Sequence, residues 1–182
     1  MNNSHIKTIR PQSGSEAFGE FTKAIEGGQL RVVVFIIEEA AEIEDENLSA
    51  TIENFPVPVV LALKNQASEK LVAACHLCVA AAENAKIGRY SALEALERGL
   101  INKIADFSEV EAEAAALAEK IAPLAPLAIR ACLKAVIEGA RLPLEEGLRL
   151  ESELFAQIFA TEDMREGTRA FLEKRPPNFR GK

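Results

Sequence analysis

Arg31-Val-Val-Val-Phe-Ile-Ile37 is the stretch that decides the fold class. An uninterrupted β-branched and aromatic run bounded by turn signals reads as a strand buried on both faces, and such strands belong to parallel sheets covered by helices. Val57-Pro-Val-Val-Leu-Ala-Leu63 reads the same way, with Pro56 and Pro58 confining its start to an edge or a turn. On the N-terminal side, Ser13 or Ser15 can cap a short helix carrying Phe18, Phe21, Ala24 and Ile25 on one face, and Gly27-Gly28 stops it. Between the two strands lie a strongly acidic segment, 38–46, and a short helix, 47–54. Beyond them, 69–82 reads as a buried helix and a third strand, 91–98 as a helix closed by Gly99, and 100–104 as another strand.

The remainder is helical. Ser108 and Glu111 form a capping box for a helix running to 121, and further helices span 125–139 and 143–160. Thr161 caps a fourth that ends before Pro176-Pro177. The expected organisation is an α/β core over 1–105 and an all-helical region over 106–182, within one structural unit.

Composition narrows the partners. The chain has 182 residues, 48% hydrophobic, with 21 basic and 28 acidic side chains and a net charge of −7. That balance, with no cluster of Lys and Arg among aromatics, argues against nucleic acid or an anionic membrane as the partner. No apolar run approaches the roughly 20 residues that span a bilayer. The N-terminus lacks an apolar signal core, so the expected location is the cytoplasm. Three cysteines suit a reducing compartment and do not form a disulfide framework. Cys75-His76-Leu77-Cys78 has no second Cys/His pair to complete a metal site, and its Ala and Val surroundings read as packed core thiols; no metal is expected. Dinucleotide, P-loop, Ser-His-Asp and HExxH patterns are absent.

In the helix over 143–160, Leu144, Leu148, Phe155, Ile158 and Phe159 are joined by Leu150 and Leu154, an apolar sector wider than one core face needs. Either a neighbouring subunit or a ligand covers the rest, and a subunit is the expected cover.

Four strings carry a family resemblance. They are Ala82-Glu-Asn-Ala-Lys-Ile-Gly88, Leu93-Glu-Ala-Leu-Glu-Arg-Gly-Leu-Ile-Asn102, Leu142-Pro-Leu-Glu-Glu-Gly-Leu148, and Phe159-Ala-Thr-Glu-Asp-Met-Arg-Glu-Gly-Thr-Arg-Ala-Phe-Leu-Glu-Lys-Arg175. Together they resemble the enoyl-CoA hydratase, or crotonase, superfamily over about 55–181, most densely after Ala92. The resemblance implies an α/β crotonase-like spiral of small sheets and helices, here truncated, and assembly as a homotrimer or hexamer. It also implies a helical C-terminal region that completes a neighbour's acyl-CoA site, and a place in fatty acid metabolism. It assigns Phe155, Phe171 and Lys174 to the nucleotide end of coenzyme A. The chemistry is compatible, since a lysine is a mobile cation for phosphate and rings are flat apolar surfaces for adenine. The rings alone read equally well as core residues.

Relatives stabilise a thioester enolate with two backbone N–H groups, one in a Ser-Ala-Gly-Ala-Asp type loop and one in a Gly-Gly-Gly turn. Here those places hold Ile37-Glu-Glu-Ala-Ala-Glu-Ile-Glu-Asp-Glu46 and the glycine-free Asn65-Gln-Ala-Ser-Glu-Lys-Leu71. Neither glutamate that hydratases use to hold water is identifiable: Lys70, Leu71 and Val72 stand near the first position, and the chain passes from Gly88 directly to Arg89-Tyr-Ser-Ala-Leu-Glu94 at the second. Glu38, Glu39 and Glu69 follow strand ends where α/β folds place ligands, but an acidic run reads first as solvated surface. His76 has no assigned role. The sequence therefore predicts a CoA-binding or oligomerising member without the standard catalytic set and with no required cofactor, an acyl-CoA being its ligand. An active hydratase, isomerase or lyase with relocated acids and a structural subunit among full-length relatives are the alternatives.

Overall fold

The computed structural model describes residues 5–26, 30–38 and 46–182. The elements in order are β1 (Ile6–Ile9), α1 (Gly14–Glu26), β2 (Val32–Ile37), α2 (Glu46–Glu53), β3 (Val59–Leu63), β4 (Gln66–Ala67), α3 (Glu69–Ala74), β5 (Leu77–Ala81), β6 (Lys86–Ile87), β7 (Tyr90–Ser91), α4 (Ala92–Glu97), β8 (Lys103–Ala105), α5 (Val110–Ile121), α6 (Pro126–Gly139), α7 (Leu144–Ile158) and α8 (Glu162–Glu173). They form two compact units, divided after Ala122.

The first unit is built on a five-stranded sheet in the order β1-β2-β3-β5-β8, every pair parallel. Val33 pairs with Val59 and Val60 with Leu77, so the two strands expected from sequence lie side by side in the middle. Every residue of β2 and β3 is buried. Since successive side chains point to opposite faces, both faces are covered, as the unbroken apolar runs require. Phe21 of α1 meets Phe35 of β2 edge-on at 5.3 Å and Phe55 at 5.0 Å. Helix α5 packs on β2, β3 and β5. A second, small sheet, β4-β6-β7, pairs Ala67 with Ile87 in parallel and Ile87 with Tyr90 antiparallel. Gly88 turns between β6 and β7 with φ +57° and donates its N–H to Ala67 C=O at 2.8 Å.

The second unit is helical. Helices α6 and α7 pack as a pair, crossing closely where Gly147 faces Gly139; a Cβ at position 147 would lie 3.1 Å from the Gly139 carbonyl oxygen. Thr161 caps α8, its hydroxyl accepting from the Met164 N–H at 3.1 Å. The tail then folds back along α8. Asp163 accepts from the N–H groups of Arg180 and Gly181, Glu166 accepts from Asn178, and the Phe179 ring lies over Gly167.

Several local expectations change. Strand β1 has no counterpart in the sequence reading, and the strand expected over 100–104 forms later, at Lys103–Ala105. The Ser108/Glu111 capping box is not made: α5 has Glu109 at its cap without a side-chain bond, because Glu111 is drawn to Lys64 and Arg10 instead. Phe18 is 41% exposed, so the buried face of α1 is Ala17, Phe21 and Ala24. The Gly27-Gly28 stop and residues 39–45 of the acidic segment lie outside the described residues. No helix among the described residues is long and apolar enough to cross a membrane.

Candidate functional site

Parallel α/β sheets present ligands at the C-terminal ends of their strands. Arg10 follows β1, Glu38 follows β2 and Lys64 follows β3, while Glu111 reaches the same place from α5. The four side chains form one closed network. Arg10 pairs with Glu38, and with Glu111 at 2.5 Å; Lys64 pairs with Glu111, lies 3.7 Å from Glu38, and stacks 5.1 Å above the Phe107 ring. The Asn65 amide donates to the Glu38 carbonyl. Two cations and two carboxylates cancel, and the hydrogen bond from Lys64 holds the Glu111 carboxyl below the usual carboxylate range. Glu38 is thus an ion-pair partner here, with its carboxylate already engaged on two sides.

Glu69 stands apart from that network. It opens α3, whose cap Ser68 accepts from the Leu71 N–H at 3.2 Å. Its exposed carboxylate lies against Gly88, where an added Cβ would meet Oε1 at 2.7 Å. Glu39 lies outside the described residues.

The Cys75 and Cys78 thiols are buried in the core, and burial pushes Cys75 well above its ordinary pKa and Cys78 up to about 12. Both stay protonated at neutral pH and are poor metal ligands or nucleophiles. His76 has a definite packing role: its Nδ1 accepts the Val59 N–H at 3.0 Å, tying the start of β5 to the start of β3. Its Nε2 is buried without a partner, and burial lowers its pKa, the nearby Glu53 opposing the shift in part.

In the second unit, Phe155 is 62% exposed and meets Phe159 edge-on at 5.1 Å, while Phe171 is 82% exposed. Neither ring belongs to the core of the described chain. Each borders its own apolar hollow. One, of about 360 Å³, has Cys132, Val136, Leu154 and Phe155 in its walls; the other, of about 430 Å³, has Leu127, Met164, Phe171 and Phe179. Ala128 and Ile158 belong to both, so the two rings stand on either side of a shared wall. Lys174 lines neither hollow. It ends α8 in the left-handed conformation, φ 53° and ψ 40°.

Comparisons place the chain among known proteins. A family model described as enoyl-CoA hydratase/isomerase matches residues 80–182. A probable enoyl-CoA hydratase of Bacillus subtilis is 33% identical over 175 residues, covering 75% of this chain and 67% of that protein. This chain belongs to the enoyl-CoA hydratase/isomerase family. The (E)-benzylidenesuccinyl-CoA hydratase of Thauera aromatica is 42% identical over 91 residues, 50% of this chain and 36% of the relative. The chain spans about a third of the length of that relative and of several other curated hydratases. The crystal structure of an enoyl-CoA hydratase from Bacillus anthracis superimposes with a TM-score of 0.88 at 22% identity, covering 100% of this chain and 98% of that one, which establishes the crotonase-like α/β fold with its helical C-terminus. The alignment with the Bacillus subtilis protein is longer than the part of this chain it takes in, so this family member carries gaps against it.

Sequence reading missed the Arg10–Glu38–Lys64–Glu111 network. Its members are separated by up to 101 positions, and no local spacing announces them.

Proposed function

We propose that this chain is a shortened crotonase-fold protein whose helical region docks onto further copies of itself, as a trimer or hexamer. In this reading it holds the coenzyme A part of an acyl-CoA against Phe155, Phe171 and Lys174, and it does not carry out standard enoyl-CoA hydration. The observation that carries the reading is the exposure of two aromatic rings beside paired apolar hollows, on helices that also leave Leu144 78% and Leu148 53% exposed. Lys174 adds support: a non-glycine residue in the left-handed region costs roughly 1 kcal/mol, a strain tolerated where a side chain is needed. The absence of standard chemistry rests on the glycine-free 65–71 stretch, where the chain forms the paired strand β4 and a side-chain cap, and on the closed ion-pair network at the strand ends.

Calorimetry with coenzyme A is the direct test. Binding that weakens several-fold in Lys174→Ala and in Phe171→Ala supports the reading, and no detectable affinity transfers support to a structural subunit in a complex with full-length relatives. A strictly monomeric species in light scattering at high concentration overturns the assembly. The second reading, an active hydratase or isomerase with relocated acids, is favoured by the likeness to hydratases, among them the probable enoyl-CoA hydratase of Bacillus subtilis at 33% identity. Hydration of crotonyl-CoA above background that disappears in Glu69→Gln or Glu39→Gln establishes it.

A further inference from the structure

A concavity of about 540 Å³ in the second unit lies between α8 and the returning tail, and its walls carry Arg165, Arg169, Arg175 and Arg180 together with Glu162, Asp163 and Glu166. Charge accounting separates these groups. Glu166 is consumed by Arg175, whose Nη1 and Nη2 donate to its two oxygens at 2.7 and 3.0 Å, and by the Asn178 N–H. Asp163 is buried and spends both oxygens on the tail amides of Arg180 and Gly181, at 2.7 and 2.8 Å. Amide donors leave the Asp163 charge in place, so what remains is three guanidinium groups against the two carboxylates of Glu162 and Asp163. Among the described residues, Arg165 and Arg180 make no side-chain ion pair, and Arg169 feels Glu166 only through its charge, without a hydrogen bond to it. A surplus of one positive charge, with three guanidinium groups to present it, is thus gathered in one hollow of a chain whose net charge is −7.

We propose that this hollow is a binding site for a small polyphosphate anion of about the size of inorganic diphosphate. Planar guanidinium forks match phosphate oxygens bidentately, and forks supplied from two chain segments suit an anion with several terminal oxygens. The concave shape favours a free anion over the flat acidic face of a macromolecule. At 100° per residue, Glu162, Arg165, Glu166 and Arg169 share one side of α8 and Phe171 projects from the other. The site is therefore separate from the aromatic surface assigned above to coenzyme A, and the two stand or fall independently.

Calorimetry of the full chain with inorganic diphosphate in low-salt buffer tests it. The expected result is saturable binding, weakened at least tenfold in Arg169→Gln and in Arg180→Gln, and unchanged within twofold in Phe171→Ala and in the exposed Arg149→Gln. Thermal unfolding runs beside it: diphosphate should raise the melting temperature of the parent protein and leave that of the Arg165→Gln/Arg169→Gln double variant where it was. Absence of saturable binding at millimolar diphosphate overturns the proposal. So does equal weakening by Arg149→Gln, which signals non-specific charge, and so does citrate binding as tightly as diphosphate, which signals no preference for phosphate.

Discussion

The two units deal with surface chemistry in opposite ways. At the strand ends of the first, every formal charge of the Arg10–Glu38–Lys64–Glu111 network has a partner within the same unit, and the sheet beneath is buried on both faces. In the second, Phe155 and Phe171 stand exposed beside apolar hollows, and Arg165 and Arg180 make no ion pair among the described residues. The contrast teaches that the charges at the strand ends of one unit are met by its own contacts, whereas the other leaves rings and guanidinium groups open to solvent.

The largest expected break in that comparison is in stability. Phe35→Ala removes a fully buried ring from the sheet and should cost about 3–5 kcal/mol in urea unfolding, whereas Phe171→Ala, on the exposed side of α8, should stay within about 0.5 kcal/mol. Similar losses for both would erase the distinction between the units.

Next in size is His76. His76→Ala leaves the Val59 N–H without its acceptor, an expected loss of about 1–2 kcal/mol. Because burial lowers the folded-state pKa below that of the unfolded chain, the neutral ring's contribution is complete above the unfolded value, about 6.5. It declines as pH falls toward the folded value, since the unfolded chain takes up the proton first. Unfolding free energies measured from pH 7.5 down to about 5 should therefore fall more steeply in the parent protein than in His76→Gln.

A smaller change, of opposite sign, is expected at Lys174. Glycine fits the left-handed cap without strain, so Lys174→Gly should stabilise the chain by up to about 1 kcal/mol while weakening coenzyme A binding. Stabilisation with unaltered binding would remove the lysine from the proposed site.

The least change is expected from mild acid on the α8 clamp. Paired hydrogen bonds from Arg175 hold Glu166 down to about 2, so what this pair contributes is complete above the ordinary carboxylate range and declines as pH falls from there through that low value. Carbon-detected titration of the Glu166 side chain should show it ionised at pH 3.5, and a midpoint above 4 would show that the clamp is loose.

The legibility of the sequence followed the range of the interactions. Strands β2 and β3 were readable because burial on both faces leaves no polar residue in the run, and Thr161 was readable because a cap acts over three positions. Strand β1 was missed since Ile6-Lys-Thr-Ile9 sits at the sheet edge, where one short alternating segment resembles loop. The Ser108/Glu111 box failed for the converse reason: a distant lysine and arginine outcompeted the local partner. Phe155, Phe171 and Lys174 came from family likeness, and periodicity could not have told exposed rings from packed ones. The arginine hollow was invisible because Arg180 joins Arg165 and Arg169 only after Asp163 has drawn the tail back.

The contact between Gly139 and Gly147 bears on how the hydrophobic hollow beside Phe155 keeps its shape. With hydrogen atoms alone between two backbones, α6 and α7 rest on each other like the blades of scissors at the rivet, and the gap farther along depends on how tightly that rivet sits. A methyl group at position 147 would push the blades apart by a few tenths of an ångström at the pivot, a strain felt by the wall that carries Cys132 and Phe155 without touching either residue.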